Sequence, residues 1–459
     1  MDAQRILNVA DARRGARRAL PTVVFDYIDG AADDEVTMAA NAQALRGLAF
    51  RPRMAGEPVD VRLGTAVLGT PVSLPVILAP CGLVRLMHPD GAAGAARAAS
   101  SRGTIFVLST VAGAGPEAVA AEAPGTKWFQ LYAPGGRRQA GALVDRARDA
   151  GYSALVVTVD TPALGNRERD LRNGVRNPLR IDARMVARLG PQIAARPGWA
   201  TRMALHAWRT GALGGVSRTG GTDRSHRVAG RPEPEPEPVV GANGGVGRTA
   251  GADSSGRGGL AAPTPSAVRA GSAGGGDAAG VADQAMGAVR TGSAGGAVAD
   301  AGTVAMLASP FTWADVSWLC ERWGGPVVVK GVLSGADAAR AADAGADAVV
   351  VSNHGGRQLD GAPATIDVLP EVVDAVGTRV EVLVDGGIHR GGDVVKALAL
   401  GAKAVLVGRA YLYGLAAAGE PGVARVLDVL RDEMTRTLKL LGCFDVADLD
   451  PSWLQPPSR

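Results

Sequence analysis

Short apolar runs recur along the chain, and each is bounded by Gly, Pro or polar residues. Runs of this length with such boundaries are typical of strands, and runs that are apolar throughout are typical of a parallel sheet covered on both faces. The eight runs predicted as strands 1 to 8 are, in order, PVILAP from Pro75, TIFVLS from Thr104, WFQLY from Trp128, ALVVTVD from Ala154, PVVVKG from Pro326, DAVVVSN from Asp347, EVLVDGG from Glu381 and KAVLVGR from Lys403.

Ala-rich stretches with helical spacing lie between most of these runs, and each ends at a glycine, as helix C-termini prefer. They include GAAGAARAASSRG, AGALVDRARDAG, GADAARAADAG and GGDVVKALALG. Eight strand and helix units in a row, with no change of pattern that would mark a switch point, favour a closed (β/α)8 TIM barrel over an open doubly wound sheet. The predicted fold class is therefore α/β, with an N-terminal helical extension before strand 1.

The composition changes in the middle of the chain. Between Gly211 and Asp300, 23 of 90 residues are Gly, none is Phe, Trp or Tyr, and RPEPEPEP lies inside. Such a segment buries too little apolar surface to offset its ordering entropy. We therefore predict a low-complexity, disordered insertion over residues 211–302, in the loop after strand 4. The other predicted segments are the N-terminal extension (1–70), strands 1 to 4 with the start of loop 4 (71–210), strands 5 to 8 (303–446) and a C-terminal tail (447–459).

Composition and charge exclude several classes of protein. The net charge of +4, from 49 Lys and Arg against 45 Asp and Glu, is too small to indicate a nucleic-acid surface. Cys81, Cys320 and Cys443 lie far apart without metal-ligand spacing, which predicts a reducing compartment and no metal site. The N-terminus has no apolar signal region, and no uncharged apolar run reaches the roughly 18 residues of a spanning helix. These features predict a cytoplasmic protein for which membrane contact is not expected.

Polar residues and glycines gather where the predicted strands end. In TIM barrels the active site lies at the carboxyl ends of the strands, so these residues are expected to converge on one face. VVVSNHGGRQLDG shows the pattern best, because an apolar strand leads directly to His354 and Arg357. The others are Pro80, Cys81 and Gly82 after strand 1, Ser109 and Thr110 after strand 2, Gln130 and Tyr132 after strand 3, Thr158, Asp160 and Arg167 after strand 4, Lys330 after strand 5, Asp385 to Arg390 after strand 7, and Gly408 and Arg409 after strand 8.

Strands 7 and 8 carry the clearest ligand signal. DGGIHRGGD and VGRA each precede a predicted helix, and they offer unhindered backbone N–H groups and two guanidinium groups where barrel enzymes usually bind phosphate. Either motif alone fits a glycine-rich turn equally well, but the two together favour phosphate. Lys330 has three interpretations at this point: a Schiff-base nucleophile, a cation facing an electron-rich ring, or a salt-bridge partner within the barrel.

Ten motifs together resemble the family of FMN-dependent 2-hydroxy-acid oxidases and dehydrogenases, the group of glycolate oxidase, lactate oxidase, mandelate dehydrogenase and 4-hydroxymandelate oxidase. SNHGGRQLDG is highly specific to this family, and the resemblance covers residues 20–443 apart from the insertion. The motifs are LPTVVFDYIDGAADDE from Leu20, FRPR from Phe50, LAPCGL from Leu78, HPDGA from His88, WFQLY, TVDTPALGNRERDLRN from Thr158, VVVKGV, VSNHGGRQLDG, VLVDGGIHRGGDVVKALALGAKAVLVGR from Val382 and LGC near Gly442.

The resemblance implies a role for each predicted catalytic residue. His354 is expected to remove a proton while a hydride passes to flavin N5, a task suited to imidazole because its pKa lies near neutrality. Asp160 is expected to orient the ring of His354 and to stabilise its protonated form. Guanidinium groups bind carboxylates through two parallel hydrogen bonds. The residues expected to bind the substrate are Arg357 and Arg167 at its carboxylate, and Tyr27 and Tyr132 as hydroxyl donors.

The resemblance also implies FMN as the cofactor and assigns its contacts. Lys330 is then the cation near flavin N1 and O2, and the Schiff-base interpretation becomes the alternative. The residues expected beside the isoalloxazine and the ribityl chain are Pro80, Cys81, Gly82, Ser109, Gln130, Thr158 and Ser352. Those expected at the ribityl end and the phosphate are Asp385, Gly386, Gly387, Arg390, Gly408 and Arg409. Asp360 is expected to cap its own loop, and His389 to lie at the surface beside the phosphate.

Two departures from the family pattern bear on the substrate. Val111 stands where glycolate oxidase-like members carry Trp, and a smaller side chain there favours an aromatic or bulky 2-hydroxy acid at least as much as glycolate. Ala163 and Asn166 replace larger or basic residues in loop 4. The alternatives are a phosphate-binding lyase or isomerase that uses Lys330 as a Schiff base, and a flavin-free binding protein. The electron acceptor, oxygen or another carrier, is open, and family analogy predicts a homotetramer.

Overall fold

Eight parallel strands form a closed barrel, as predicted. Strand β8 pairs with β1 through Val405 and Val76, Leu406 and Ile77, and Val407 and Leu78, which closes the ring. Six strands fall within the corresponding apolar runs of the sequence, whereas β3 begins one residue earlier at Lys127 and β5 ends one residue later at Val332. The strands are β1 (Val76–Leu78), β2 (Phe106–Ser109), β3 (Lys127–Leu131), β4 (Ala154–Thr158), β5 (Val327–Val332), β6 (Ala348–Val351), β7 (Glu381–Asp385) and β8 (Ala404–Val407).

The computed structural model describes residues 1–53, 60–132, 136–174, 183–209 and 311–455. The predicted insertion over residues 211–302 lies outside these ranges, between β4 and β5 in the chain, and its disorder stays a prediction. Among the helices of the described ranges, none is long and apolar enough to cross a membrane.

Alternate residues of each strand face opposite sides, which divides the core into two clusters. On β5, Val328 packs inside the barrel, whereas Val327 and Val329 pack outward against the helices. A hairpin of two short strands, Thr65–Val67 and Thr70–Val72, packs against the interior cluster, and the Leu68 N–H at its turn donates to Glu381 at the amino end of β7. The hairpin covers the amino end of the barrel, so the carboxyl end is left for the site.

Helices surround the barrel, and some of them have recognisable caps. Thr312 and Asp315 form a capping box before the helix that leads to β5, and Gly442 ends the last helix in a left-handed conformation. After three N-terminal helices, the further α-helices within the described ranges are α4 (Gly91–Ser101), α5 (Pro116–Glu122), α6 (Gly136–Asp149), α7 (Glu168–Arg172), α8 (Ala183–Ala194), α9 (Pro197–Arg209), α10 (Trp313–Trp323), α11 (Gly335–Asp343), α12 (Thr365–Val376), α13 (Gly391–Ala399) and α14 (Arg409–Leu441).

The predicted N-terminal extension contains α1 (Val9–Ala19), α2 (Thr22–Asp29) and α3 (Val36–Gly47). Helix α1 packs along α14, and the segment after α2 is bound to the loop that follows β6, where the Ala32 N–H donates to the Gly356 carbonyl at 2.8 Å. Asp360 accepts hydrogen bonds from the N–H groups of Val36 and Thr37 at the start of α3. Asp360 therefore caps the neighbouring helix, and the extension forms part of the rim of the site.

Candidate active site

His354 and Asp160 form a close hydrogen-bonding contact at the carboxyl end of the barrel. The Nδ1 atom of His354 lies 3.0 Å from Oδ1 and 3.2 Å from Oδ2 of Asp160. Burial lowers the pKa of His354, against the opposing charge of Asp160. Burial alone would raise the pKa of Asp160, but the charge and hydrogen bond of His354 outweigh it and the pKa is lowered. The carboxylate holds Nδ1, so Nε2 is the ring nitrogen left to exchange a proton.

The backbone around His354 adopts a conformation that its sequence explains. His354, Gly355 and Gly356 all have positive φ, of 56°, 63° and 76°. A Cβ atom on Gly356 would lie 2.7 Å from the Met38 nitrogen, so a side chain has no room there. The two glycines of the SNHGG motif therefore permit a tight turn that His354 itself adopts only under strain.

Lys330 is held as a cation at the end of β5. Its Nζ lies 3.0 Å from Oδ2 of Asp385 and donates to the Ser352 hydroxyl at 2.8 Å. Burial alone would lower the pKa of Lys330, but the charges of Asp385 and Asp160 outweigh it and raise the pKa. A Schiff-base lysine reacts as the neutral amine, so this environment favours the charged role predicted for Lys330.

Two arginines lie near each other at the site, because the charge of Arg357 acts on Arg167. The Nη1 atom of Arg357 donates to the carbonyls of Tyr27 and Gly30 at 2.8 and 2.9 Å, and its guanidinium lies 5.2 Å from the Tyr27 ring centroid. The buried Nε of Arg167 has no hydrogen-bond partner among the described residues. Burial, with the charge of Arg357, lowers the pKa of Arg167 to about 10. Two neighbouring guanidinium groups with unused donors suit an anionic ligand.

The two predicted tyrosines line this space with neutral hydroxyl groups. Burial raises the pKa of both Tyr27 and Tyr132, so their hydroxyls remain protonated donors at neutral pH. An added Cβ on Gly82 would lie 3.0 Å from the Tyr27 hydroxyl and 3.0 Å from Cγ2 of Val111. Tyr27, Gly82 and Val111 therefore meet at one wall of the site.

A row of polar side chains crosses three neighbouring strands. The Ser109 hydroxyl donates to Oε1 of Gln130 at 2.8 Å, and Nε2 of Gln130 donates to the Thr158 hydroxyl at 3.0 Å. All three residues are buried at the ends of β2, β3 and β4. Their neighbour Cys81 lies 3.6 Å from the Cβ position of Gly408, and burial raises the pKa of its thiol. The structure thus brings together the residues predicted to edge a flavin.

The end of β7 contains a buried acceptor. The Oδ1 atom of Asp385 has no hydrogen-bond partner among the described residues, although Oδ2 contacts Lys330. Gly386 and Gly387 follow with φ of 99° and 77°, and a Cβ on either would collide with its neighbours. A bare backbone beside an unsatisfied carboxylate oxygen suits a polyhydroxyl chain, which is what the ribityl group of FMN offers.

Two predicted phosphate ligands have other partners in the structure. Arg409 lies at the site, but its guanidinium donates to the carbonyls of Ile28 at 3.1 Å and of Gly355 and Gly30 at 2.8 Å. Arg390 is about half exposed and pairs with Glu433 on α14 at 2.6 Å. Both roles stay predictions. His389 is only partly exposed, and burial lowers its pKa.

Three polar residues of the site were not predicted. Asn41 and Asn353 are buried and bonded to each other, and Thr161 has a buried hydroxyl without a partner among the described residues. Asn353 and Thr161 lie within sequence motifs, directly beside His354 and Asp160. That position could have indicated that they belong to the site. Asn41 lies within a helix, and only the packing of α3 against the barrel brings it to the site.

A TIM barrel whose mouth combines a His and Asp pair, a buried lysine and a cradle for a polyhydroxyl chain is typical of a flavin-dependent oxidoreductase. A family model described as FMN-dependent dehydrogenase matches residues 16–456. The chain belongs to this family, and FMN is its cofactor, as the motifs predicted. The prediction of an enzyme from the 2-hydroxy-acid oxidase and dehydrogenase group is confirmed at this level.

The chain is similar over nearly its whole length to proteins with established names. It is 37% identical to an L-lactate dehydrogenase of Caulobacter vibrioides (strain NA1000 / CB15N), covering 98% of this chain and 97% of the relative. It is 38% identical to a pre-mycofactocin synthase of Mycobacterium tuberculosis (strain ATCC 25618 / H37Rv), covering 98% and 94%. The crystal structure of the monotopic membrane protein (S)-mandelate dehydrogenase aligns with a TM-score of 0.74 at 33% identity, covering 99% of this chain and all of that one.

Proposed function

We propose that the protein oxidises the α-hydroxyl carbon of a 2-hydroxy acid to the 2-oxo acid, with His354 as the base. The observation that carries the proposal is the His354 and Asp160 contact of 3.0 Å beside the neighbouring guanidinium groups of Arg167 and Arg357. A base next to a carboxylate-binding site matches a substrate with a hydroxyl beside its carboxylate. FMN, when bound, accepts the hydride from the substrate α carbon.

The residues act in sequence on the substrate. Arg357 and Arg167 bind its carboxylate, whose negative charge offsets the repulsion between the two guanidinium groups. Tyr132 and Tyr27 donate hydroxyl hydrogen bonds that set its orientation. The Nε2 atom of His354 then takes the hydroxyl proton, and Asp160 stabilises the resulting imidazolium through Nδ1.

The polar row, together with residues at the ends of β7 and β8, would hold FMN. Lys330 would provide positive charge beside the pyrimidine side of the ring, while Ser109, Gln130 and Thr158 would hydrogen-bond its edge. Asp385, through the free Oδ1 atom, would accept from a ribityl hydroxyl. The remaining cofactor contacts that we propose are those of Pro80, Cys81, Gly82, Ser352, Gly386, Gly387, Arg390, Gly408 and Arg409.

The substrate class that we propose ranges from lactate-like to mandelate-like acids. Val111 lies next to Gly82 and Tyr27 at one wall of the site, and it stands where glycolate oxidase-like members carry the larger Trp. The similarity to an L-lactate dehydrogenase and to (S)-mandelate dehydrogenase supports this range. By family analogy, we further propose a cytoplasmic homotetramer that passes its electrons to oxygen or to another carrier.

The visible spectrum of the purified protein, recorded without oxygen, tests the proposal. A panel of lactate, glycolate, mandelate and 4-hydroxymandelate is added in turn, and the flavin absorbance is expected to bleach with at least one acid. Readmitting oxygen separates an oxidase, whose flavin colour returns at once, from a dehydrogenase. A flavin that stays oxidised with every acid contradicts the proposed function. Trapping of a carbonyl substrate on Lys330 by borohydride would instead support the Schiff-base alternative.

A further inference from the structure

Helix α3 carries a polar residue on its buried face. Thr37, Asn41 and Leu45 are spaced four residues apart and point toward the barrel, and Asn41 is only 2% exposed. A buried amide is destabilising unless its donors and acceptors form hydrogen bonds, so the partners of Asn41 indicate its structural role. Those partners belong to the loop after β6, which we name loop 6 (residues 352–364), and to the start of α12.

Asn41 and Asn353 form a reciprocal pair of hydrogen bonds. Nδ2 of Asn41 donates to Oδ1 of Asn353 at 2.9 Å, and Nδ2 of Asn353 donates back to Oδ1 of Asn41 at 2.8 Å. The remaining capacity of Asn353 is used within loop 6, where Oδ1 accepts from the Gly356 N–H and Nδ2 donates to the Pro363 carbonyl. Asn353 therefore connects both ends of loop 6, and Asn41 fixes its amide from outside.

The same side chain lies against the loop after β7. An added Cβ on Gly386 would lie 3.2 Å from Cγ and Nδ2 of Asn41, and one on Gly387 would lie 2.7 Å from the Asn41 carbonyl. Oδ1 of Asn41 also accepts from the Thr365 N–H, and the Thr365 hydroxyl donates to the Asp385 carbonyl. Asn41 is thus in contact with the loop of the proposed base and with the loop of the proposed cofactor cradle.

We infer that Asn41 is a positioning residue that fixes the loop of His354 through Asn353 and sets it against the cofactor loop. The inference rests on the proposed function, because His354 is the base only in that reaction. His354 adopts positive φ beside two glycines that do the same, a conformation that persists only where the surroundings impose it. The Asn41 and Asn353 pair, which begins one residue before His354, supplies that constraint.

Two variants separate the hydrogen bonds from the packing. Asn41→Asp keeps the size of the side chain but removes the donor and places a carboxylate oxygen against Oδ1 of Asn353, while Asn41→Leu removes every polar contact. In both, the rate constant of anaerobic flavin reduction by the best 2-hydroxy acid, per bound flavin, is expected to fall about 10- to 100-fold, because a displacement near 1 Å costs this much. The substrate concentration at half-maximal rate is expected to change less than threefold, because Arg167 lies outside loop 6 and the Arg357 guanidinium keeps its hydrogen bonds to the carbonyls of Tyr27 and Gly30.

Leu45→Ala provides the matched control. Leu45 lies one turn further on the same buried face of α3 and is 1% exposed, so its truncation loosens the helix without removing the amide pair. It is expected to lower the melting temperature while leaving the rate constant per bound flavin unchanged. Gln43→Leu removes an exposed amide from the same helix and is expected to change neither quantity.

The outcomes decide between a positioning role and a structural one. Wild-type reduction rates in both Asn41 variants would overturn the inference, and so would an equal loss in Leu45→Ala. If no 2-hydroxy acid reduces the wild-type flavin, the proposed function fails by itself. The inference is then tested by the rate at which the diluted holoenzyme releases FMN, which is measured by flavin fluorescence. Faster release from the Asn41 variants than from Leu45→Ala supports it, and equal release overturns it.

Discussion

At the residue scale, the proposed reaction requires a neutral His354 beside an ionised Asp160 before substrate binds. Burial lowers the pKa of His354 and so favours its neutral form, while the contact with His354 lowers the pKa of Asp160 and favours the carboxylate. His354 is therefore ready to accept a proton. Once His354 is protonated, the contact of 3.0 Å becomes a charged hydrogen bond in a buried place, where it is stronger than in water.

The pH dependence of the reaction follows from this pair. His354 must be unprotonated to act as a base, so kcat/KM falls as the pH drops through its pKa, which lies below the ordinary value of about 6.5. Asp160→Asn removes a charge that raises this pKa, and the acidic limb is expected to move to still lower pH. The maximal rate is expected to fall about 10²- to 10⁴-fold, because the imidazolium is no longer stabilised. Steady-state rates between pH 4 and 9 check both shifts, and an acidic limb that stays in place contradicts the assignment.

Arg167 is expected to act in binding more than in proton transfer. Its guanidinium is buried near that of Arg357 with an unused Nε, so a substrate carboxylate gains a charged hydrogen bond there. Such bonds contribute about 1.5–3 kcal/mol, and Arg167→Met is expected to raise KM about 10- to 100-fold. Steady-state kinetics measures this change. Arg14→Met, an exposed position on α1, serves as the control, and an unchanged KM in Arg167→Met would remove Arg167 from the binding site.

The location of single residues at the site could be predicted where a sequence motif indicates their chemical role. His354, Asp160 and Lys330 follow strand ends, and the barrel geometry carries each to the same face. Arg409 was located at the site, but its bonds to the carbonyls of Ile28 and Gly30 depend on how the N-terminal extension crosses the barrel. That crossing joins residues about 380 positions apart, and no local pattern encodes it.

At the element scale, a bulge in β5 shapes the site. The register of β5 against β6 shifts between Lys330 and Val332, and Gly331 between them has φ of 110°. A Cβ on Gly331 would lie 2.6 Å from Cβ of Asp160 on the neighbouring strand end. The glycine in the VVVKGV run therefore allows Lys330 and Asp160 to lie side by side.

Gly331→Ala is expected to lower the activity of the protein much more than its stability. The added methyl must displace Asp160, which breaks its alignment with His354, while the backbone strain costs about 1–3 kcal/mol. Gly345→Ala is the matched control, because Gly345 has φ of 95° after α11 but its Cβ would meet only Cys320 at 3.5 Å. The flavin reduction rate is expected to fall at least 10-fold in Gly331→Ala alone, with similar melting temperatures for both. Equal rates in the two variants would show that the bulge has no role in the site.

At the scale of the whole molecule, the barrel was predictable because each strand is buried on both faces and so reads as an apolar run. The contribution of the N-terminal extension to the site was not predictable. The sequences of α2 and α3 indicate helices, but they do not show which part of the barrel these helices cover. The buried Asp29 illustrates the difference: it is 3% exposed and binds Arg13 of α1, Arg169 of α7 and the Tyr413 hydroxyl of α14. One carboxylate thereby joins α1 and α2 to α7 and α14, which lie far away in the chain.

Asp29→Asn is expected to lower global stability with a defined pH dependence. Burial alone would raise the pKa of Asp29, but the hydrogen bonds from Arg13 and Tyr413 outweigh it and lower the pKa. The stabilisation is therefore complete above the unfolded value of about 3.9 and is lost as the pH falls through the lower folded value. At pH 7, replacing the buried carboxylate is expected to cost about 1–3 kcal/mol of the free energy of unfolding and a few degrees of melting temperature, because Arg13 is half exposed and Arg169 is one-third exposed. Asp343→Asn, which breaks the exposed pair with Arg379, is expected to cost less than about 1 kcal/mol.

Thermal melts at pH 7 and at the lowest pH where the wild type stays folded test both expectations. If Asp29→Asn melts with the wild type at pH 7, Asp29 does not hold the extension to the barrel, and the rim of the site must be fixed by other contacts.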